Sequence, residues 1–164
     1  MGYNQFISIG AIALLALISL RFDSTVLETK QTEVENKVYL TAFSLADDLI
    51  EEIKQKAFDE QTVEWRAIET GDLTPYNAFG PLDPGESSVE TFDDIDDYQG
   101  YQKEVSLPHV ENYTITSNVD YVSASDPDET SLVQTYFKRV TVRVTSPYLT
   151  HPVRLSFVFT LHSK

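Results

Sequence analysis

Residues Phe6–Leu20 read FISIGAIALLALISL, fifteen positions without a single charge, and everything downstream depends on how that run is classified. It falls short of the ~20 apolar residues that cross a bilayer comfortably. Counted from Tyr3, with its ends reaching toward the headgroups, it becomes a marginal single span. On the N-terminal side, Met1 to Gln5 carry no Lys or Arg. On the other side Arg21-Phe22-Asp23 follows where a secretory signal would place a small-residue cleavage site. The run therefore reads as a retained apolar half-helix that needs lipid, or identical neighbours, around it.

Between Gly10 and Gly71 there is neither Gly nor Pro, so the helical pattern continues. Val34, Val38, Ala42, Leu45, Leu49, Ile53 and Ala57 recur at steps of three and four, which sets them on one helical face. Glu33 with Lys37 and Glu52 with Lys56 are spaced for i,i+4 pairing. One helix from Tyr3 to about Ala57 is expected, roughly 80 Å long at 1.5 Å per residue.

From Asp59 to Gly100 the text changes. Pro75, Pro81 and Pro84 with Gly71, Gly80, Gly85 and Gly100 punctuate it. Trp65, Tyr76, Phe79, Phe92, Tyr98 and Tyr101 make it too aromatic for disorder, and these rings are expected to anchor it.

The last third alternates with period two. Tyr113, Ile115, Val119 and Tyr121 oppose Thr114, Thr116, Asn118 and Asp120. Tyr136, Val140, Val142 and Val144 oppose Arg139, Thr141, Arg143 and Thr145. Val153, Leu155, Phe157, Phe159 and Leu161 oppose Arg154, Ser156 and Thr160. Three such runs in succession predict an antiparallel meander with one buried face, and Lys103–Leu107 is a candidate fourth strand. The helical stripe covers that face. The fold class is α+β, a long N-terminal helix on an antiparallel sheet of three or four strands. Residues 1–27 are the hydrophobic part of the helix and 28–58 its amphipathic continuation. A loop-rich acidic connection follows over 59–102, and the sheet occupies 103–164.

A formal net charge of -14 opposes binding to nucleic-acid phosphates, whose affinity comes from Lys and Arg. The absence of Cys removes disulfides and thiolate metal sites. Asp83, Glu86, Glu90, Asp93, Asp94, Asp96 and Asp97 crowd seven acids into fifteen residues. Such repulsion calls for water, a cation or backbone donors. Asp93, Asp94, Asp96 and Asp97 are thus candidate ligands for Ca²⁺, which takes oxygen ligands from flexible loops, although the EF-hand spacing fails. A hydrated turn with Asx-type hydrogen bonds is the other reading. Asp126-Pro127-Asp128-Glu129 is a weaker version of the same idea. His109, His151 and His162 are scattered, and no nucleophile elbow or phosphate loop exists, so no enzymatic activity is expected.

The layout resembles that of type IV pilins and pseudopilins. Leu45-Ala46-Asp47-Asp48-Leu49-Ile50-Glu51-Glu52-Ile53 leading into Lys56-Ala57-Phe58-Asp59-Glu60, the acidic Phe92–Tyr101 segment, and the closing strands Lys138–Thr145 and Pro152–Leu155 resemble minor pilins of the mannose-sensitive haemagglutinin type. The resemblance implies a structural subunit of a helical homopolymer. It rests in a bacterial inner membrane before the pilus assembly machinery builds it into a cell-surface filament. Phe6, Ile7, Ile9, Ile12, Leu14, Leu15, Leu17, Ile18 and Leu20 then line the filament core, and Met1 and Gln5 sit where subunits dock. The chain departs from the family at Gln5, where an acid at the fifth mature position is the rule. The alternative function is a monomeric, single-span, membrane-anchored binding module, Ca²⁺-dependent if the acidic loop is a site.

Overall fold

A computed structural model describes residues 2–64, 69–81, 88–108 and 110–161. Met1, Trp65, Asp83, Glu86, His109 and His162, all singled out above, lie outside the described residues. The chain divides into two units, 1–38 and 39–164.

Helix α1 runs over Tyr3–Ile53, and its first part constitutes the first unit. Thr25, Thr29 and Thr32 turn their hydroxyls back onto the carbonyls four residues earlier, at 3.0, 2.8 and 3.0 Å. These polar groups are thereby satisfied within the helix itself. In its last turns the buried positions are Ala42, Ala46, Leu49, Ile50 and Ile53, while Leu45 is half-buried. Val38 is buried as well, but Val34 is exposed. The expected stripe is thus correct in its spacing and begins one turn later.

The helix also stops four residues short of the expected end. Gln55 and Lys56 donate to carbonyls three residues back, Glu52 and Ile53, each at 3.1 Å. Ala57 then forms a parallel bridge with Asp94: its N–H donates to the Asp93 carbonyl at 2.9 Å, and Ile95 N–H donates to its carbonyl at 3.0 Å. No local breaker sets this end. A tertiary hydrogen-bond partner competes for the same backbone groups and wins.

The connection carries a short helix α2, Glu60–Glu64, and single 3-10 turns at Thr70–Asp72, Tyr76–Ala78 and Asp96–Tyr98. Its rings meet edge to face. Phe92, Tyr98 and Tyr101 form one cluster with centroids 5.1 to 6.1 Å apart. Phe79 lies between Tyr76 at 5.5 Å and Tyr121 at 5.0 Å. The buried Tyr98 donates its hydroxyl to Glu52 on α1 at 2.7 Å. Glu52 therefore does not take up the expected pairing with Lys56, which donates instead to the Phe92 carbonyl at 2.5 Å. Glu33 and Lys37 do pair, at 2.9 Å and in full exposure.

Strands β1 (Gln102–Leu107), β2 (Val110–Val122), β3 (Thr130–Ser131), β4 (Phe137–Thr145) and β5 (Val153–Thr160) make one open antiparallel sheet, in the order β1-β2-β4-β5. The expected fourth strand is β1. The fifth, β3, falls between the first two of the expected alternating runs and pairs Ser131 with Tyr121 and Thr130 with Val122. The edge of β2 is filled piecewise. β1 pairs it up to Thr116, Tyr101 and Gly100 exchange bonds with Ser117, Gln99 Oε1 accepts from Val119 N–H at 2.6 Å, and β3 completes the far end. Gly100 has φ 71°, which a side chain would disfavour, and there the chain turns into β1. Tyr113, Ile115, Val119, Tyr121, Val140, Val142 and Val144 are buried as the alternation requires. In β5 only Val153 is buried and Phe157 is 40% exposed. An outermost strand has a neighbour on one side only, so its apolar face is half covered.

Candidate functional site

Two features of the chain carry chemistry. The first is the apolar helix. It is long and apolar enough to cross a membrane by length and composition, and none of its most apolar window is buried. Phe6, Ile7, Ile9, Ile12, Leu14, Leu15, Leu17, Ile18 and Leu20 are all exposed, Leu15 the most at 72%. Gln5 is exposed too. These residues surround the helix on every side, so this segment is not an amphipathic surface helix.

The second feature is an ionic cluster inside the 39–164 unit. Lys138 enters β4 on the inward face, with no exposure. Its Nζ lies 2.6 Å from Asp59 Oδ2 and 2.6 Å from Asp96 Oδ1, and donates to the Phe58 carbonyl at 2.8 Å. The rings of Phe58, Phe79 and Tyr121 stand 4.6, 5.1 and 5.2 Å from the ammonium, an arrangement that favours a desolvated cation.

Its two carboxylate partners are supplied very differently. Asp59 Oδ1 accepts from Gln61 N–H at 3.1 Å, Thr74 N–H at 3.0 Å and the Thr74 hydroxyl at 2.9 Å. Its Oδ2 accepts from Tyr121 at 3.0 Å. Burial alone raises the pKa of such a group, but Lys138 and the Thr74 donors outweigh it and hold Asp59 below the usual carboxylate range. Asp96 has no such donors among the described residues. Its Oδ1 touches Nζ at ion-pair distance but off the hydrogen-bond angle, and its Oδ2 has no hydrogen-bond partner among the described residues. Burial pushes Asp96 up to about 8, against the pull of Lys138. Asp94, buried beside it and facing Asp97, is pushed up to about 7.

The four acids read as Ca²⁺ ligands are therefore divided among separate tasks. Asp93 is exposed. Asp97 closes a buried Asx-type turn, its Oδ2 accepting from Asp93 N–H at 3.1 Å and its N–H donating to Asp94 Oδ1 at 3.1 Å. Asp96 faces Lys138. Among the described residues no group of three or more His, Asp or Glu is disposed to hold a metal ion. The turn has the Asx-type hydrogen bonds of the other reading, and Asp94 and Asp97 in it are buried. At the second acidic loop an arginine holds the backbone. Arg139 donates to the Pro127 and Asp128 carbonyls, each at 3.0 Å, and pairs with Asp120 at 3.3 Å.

Lys138 escaped the sequence reading, although a signal was there. In the run Tyr136-Phe137-Lys138-Arg139-Val140 the even positions face inward, and period two puts Lys138 among them. Comparison of the chain with protein-family models, curated proteins and solved structures finds no match.

Proposed function

We propose that the chain is a non-enzymatic structural subunit of a pilus-like extracellular filament. In this reading it rests in a bacterial inner membrane by its N-terminal helix, and the pilus assembly machinery then polymerises it through that helix. One observation carries the reading: an apolar helical segment exposed on every side, joined without a break to a helix that packs on a folded sheet. Burying apolar surface is worth roughly 25 cal/mol per Å² before the cost of ordering the partners. The segment passes as a membrane span by length and composition, and a bundle of copies satisfies it equally well. Gly10 has nothing within 4 Å of where a Cβ would stand, which leaves room for a close helix approach.

Ala13→Asp tests the reading, because a carboxylate in the centre of a helical bundle is heavily penalised. The expected result is loss of fibres in negative-stain images of surface material, while the sheet domain stays folded. Fibres that survive the substitution sink the proposal. Membrane-bound monomers that never form fibres, even without it, favour the anchored binding module instead.

A further inference from the structure

Lys138 and Asp96 meet in a way that goes beyond an ion pair. The amine and the carboxyl group are in van der Waals contact, both buried, and three aromatic rings keep water from the amine. A second carboxylate, Asp59, touches the same nitrogen from another side and is fixed by five hydrogen bonds from Gln61, Thr74 and Tyr121. Among the described residues Asp96 has no such donor to stabilise its charge. One carboxylate is thus held ionised against the amine, where it can take the proton that the amine gives up, and the other lies in contact with the same amine without donors that would hold it ionised.

We propose that Lys138 Nζ and Asp96 Cγ condense into an intramolecular isopeptide bond, with Asp59 as the general base. The ammonium of Lys138 gives a proton to Asp59 Oδ2. The freed lone pair attacks Cγ of the protonated Asp96, and an Nζ–Cγ bond forms. Asp59 takes the second N–H proton as it returns the first to the departing hydroxyl. The Cγ–O bond breaks and water leaves, so amine and acid become amide and water, with no oxidant or cofactor. The raised position of Asp96, about 8, keeps it in the acid form at neutral pH, chiefly by burial, and Asp59 is held ionised. Fixing both reactants within contact distance, away from water, supplies the proximity that such condensations lack in solution. The bond ties the connection after α1 to strand β4. It does not depend on the filament reading, because every residue in it belongs to the 39–164 unit.

Mass spectrometry of the purified full-length chain tests this. A Lys-specific protease is expected to leave the chain uncut after Lys138. A branched peptide joining the Asp96 and Lys138 segments should appear, lighter by one water than the sum of its two arms. Asp59→Asn and Asp96→Ala should each restore the linear peptides. Linear peptides in the unmodified chain, or a branch that persists in Asp96→Ala, would overturn the proposal. So would a branch mapped to Asp59. The map of the unmodified chain decides the matter alone if a variant fails to fold.

Discussion

Lys138 Nζ stands 2.6 Å from Asp59 Oδ2, across 79 residues of chain, and neither side chain has any solvent exposure. The pair joins the segment just beyond α1 to the start of β4. Desolvation of two charges offsets most of their attraction, so the pair is weak evidence for stability as such. What it fixes is register. Only one alignment of connection and sheet brings the ammonium to its oxygen acceptors, and every other alignment buries a bare charge.

Removing the cation should therefore cost more than the pair contributes. Lys138→Met leaves Asp59 ionised and uncompensated in the core, and a loss of at least about 3 kcal/mol is expected. The shift of the urea midpoint measures it. A change under about 1 kcal/mol would mean that the cluster is wet.

Tyr121→Phe deletes one donor and leaves the ring in place. The hydroxyl lies 3.0 Å from Asp59 Oδ2 and 2.8 Å from the Thr74 carbonyl, so a loss of ~1–3 kcal/mol is expected. Thr74→Val should cost a comparable amount and combine non-additively with it, since both donors serve Asp59.

Asp94 makes stability pH-dependent. Its folded value of about 7 lies above the ordinary 3.8, so the folded chain holds a proton that the unfolded chain releases. That stabilisation is complete below pH 3.8 and is lost as pH rises through about 7. Asp59 has the opposite sign, and its contribution is present above pH 3.8 and lost as pH falls below it. Stability should decline from mild acid to neutrality by on the order of 3 kcal/mol from Asp94. Asp94→Asn, which keeps an acceptor for Asp97 N–H, should remove the Asp94 part of that slope in denaturant titrations at several pH values, leaving the like-signed part from Asp96, which is raised to about 8.

Ile53 ends α1 with no exposure. Ile53→Ala should cost ~2–5 kcal/mol by opening a cavity at the helix terminus. The same truncation at Leu15, which is exposed, should leave the melting of the sheet domain unchanged.

Removing residues 1–27 should give a chain that is soluble without detergent and melts within about 2 °C of the full-length protein. No large apolar residue from Phe6 to Leu27 is buried, so none contributes to that fold. Aggregation or loss of the cooperative melt in the truncated chain would contradict this.

Periodicity determined the long helix, its change from apolar to amphipathic, and the three alternating strands, because each depends on the spacing of neighbours along the chain. The inward residues of β2 and β4 were legible for the same reason. The acidic segment was visible as a cluster of charges in need of an answer, but composition alone could not say what answers it. Tertiary structure decided that Lys138, distant in sequence, meets Asp59 and Asp96, and that Asp94, Asp96 and Asp97 are buried. It also decided that α1 stops at Ile53, since Asp93 and Ile95 supply hydrogen bonds that the next helical turn would otherwise make. Charge compensation and helix termination both hinge on which distant groups arrive within 3 Å or so, and no local pattern along the chain encodes that arrival.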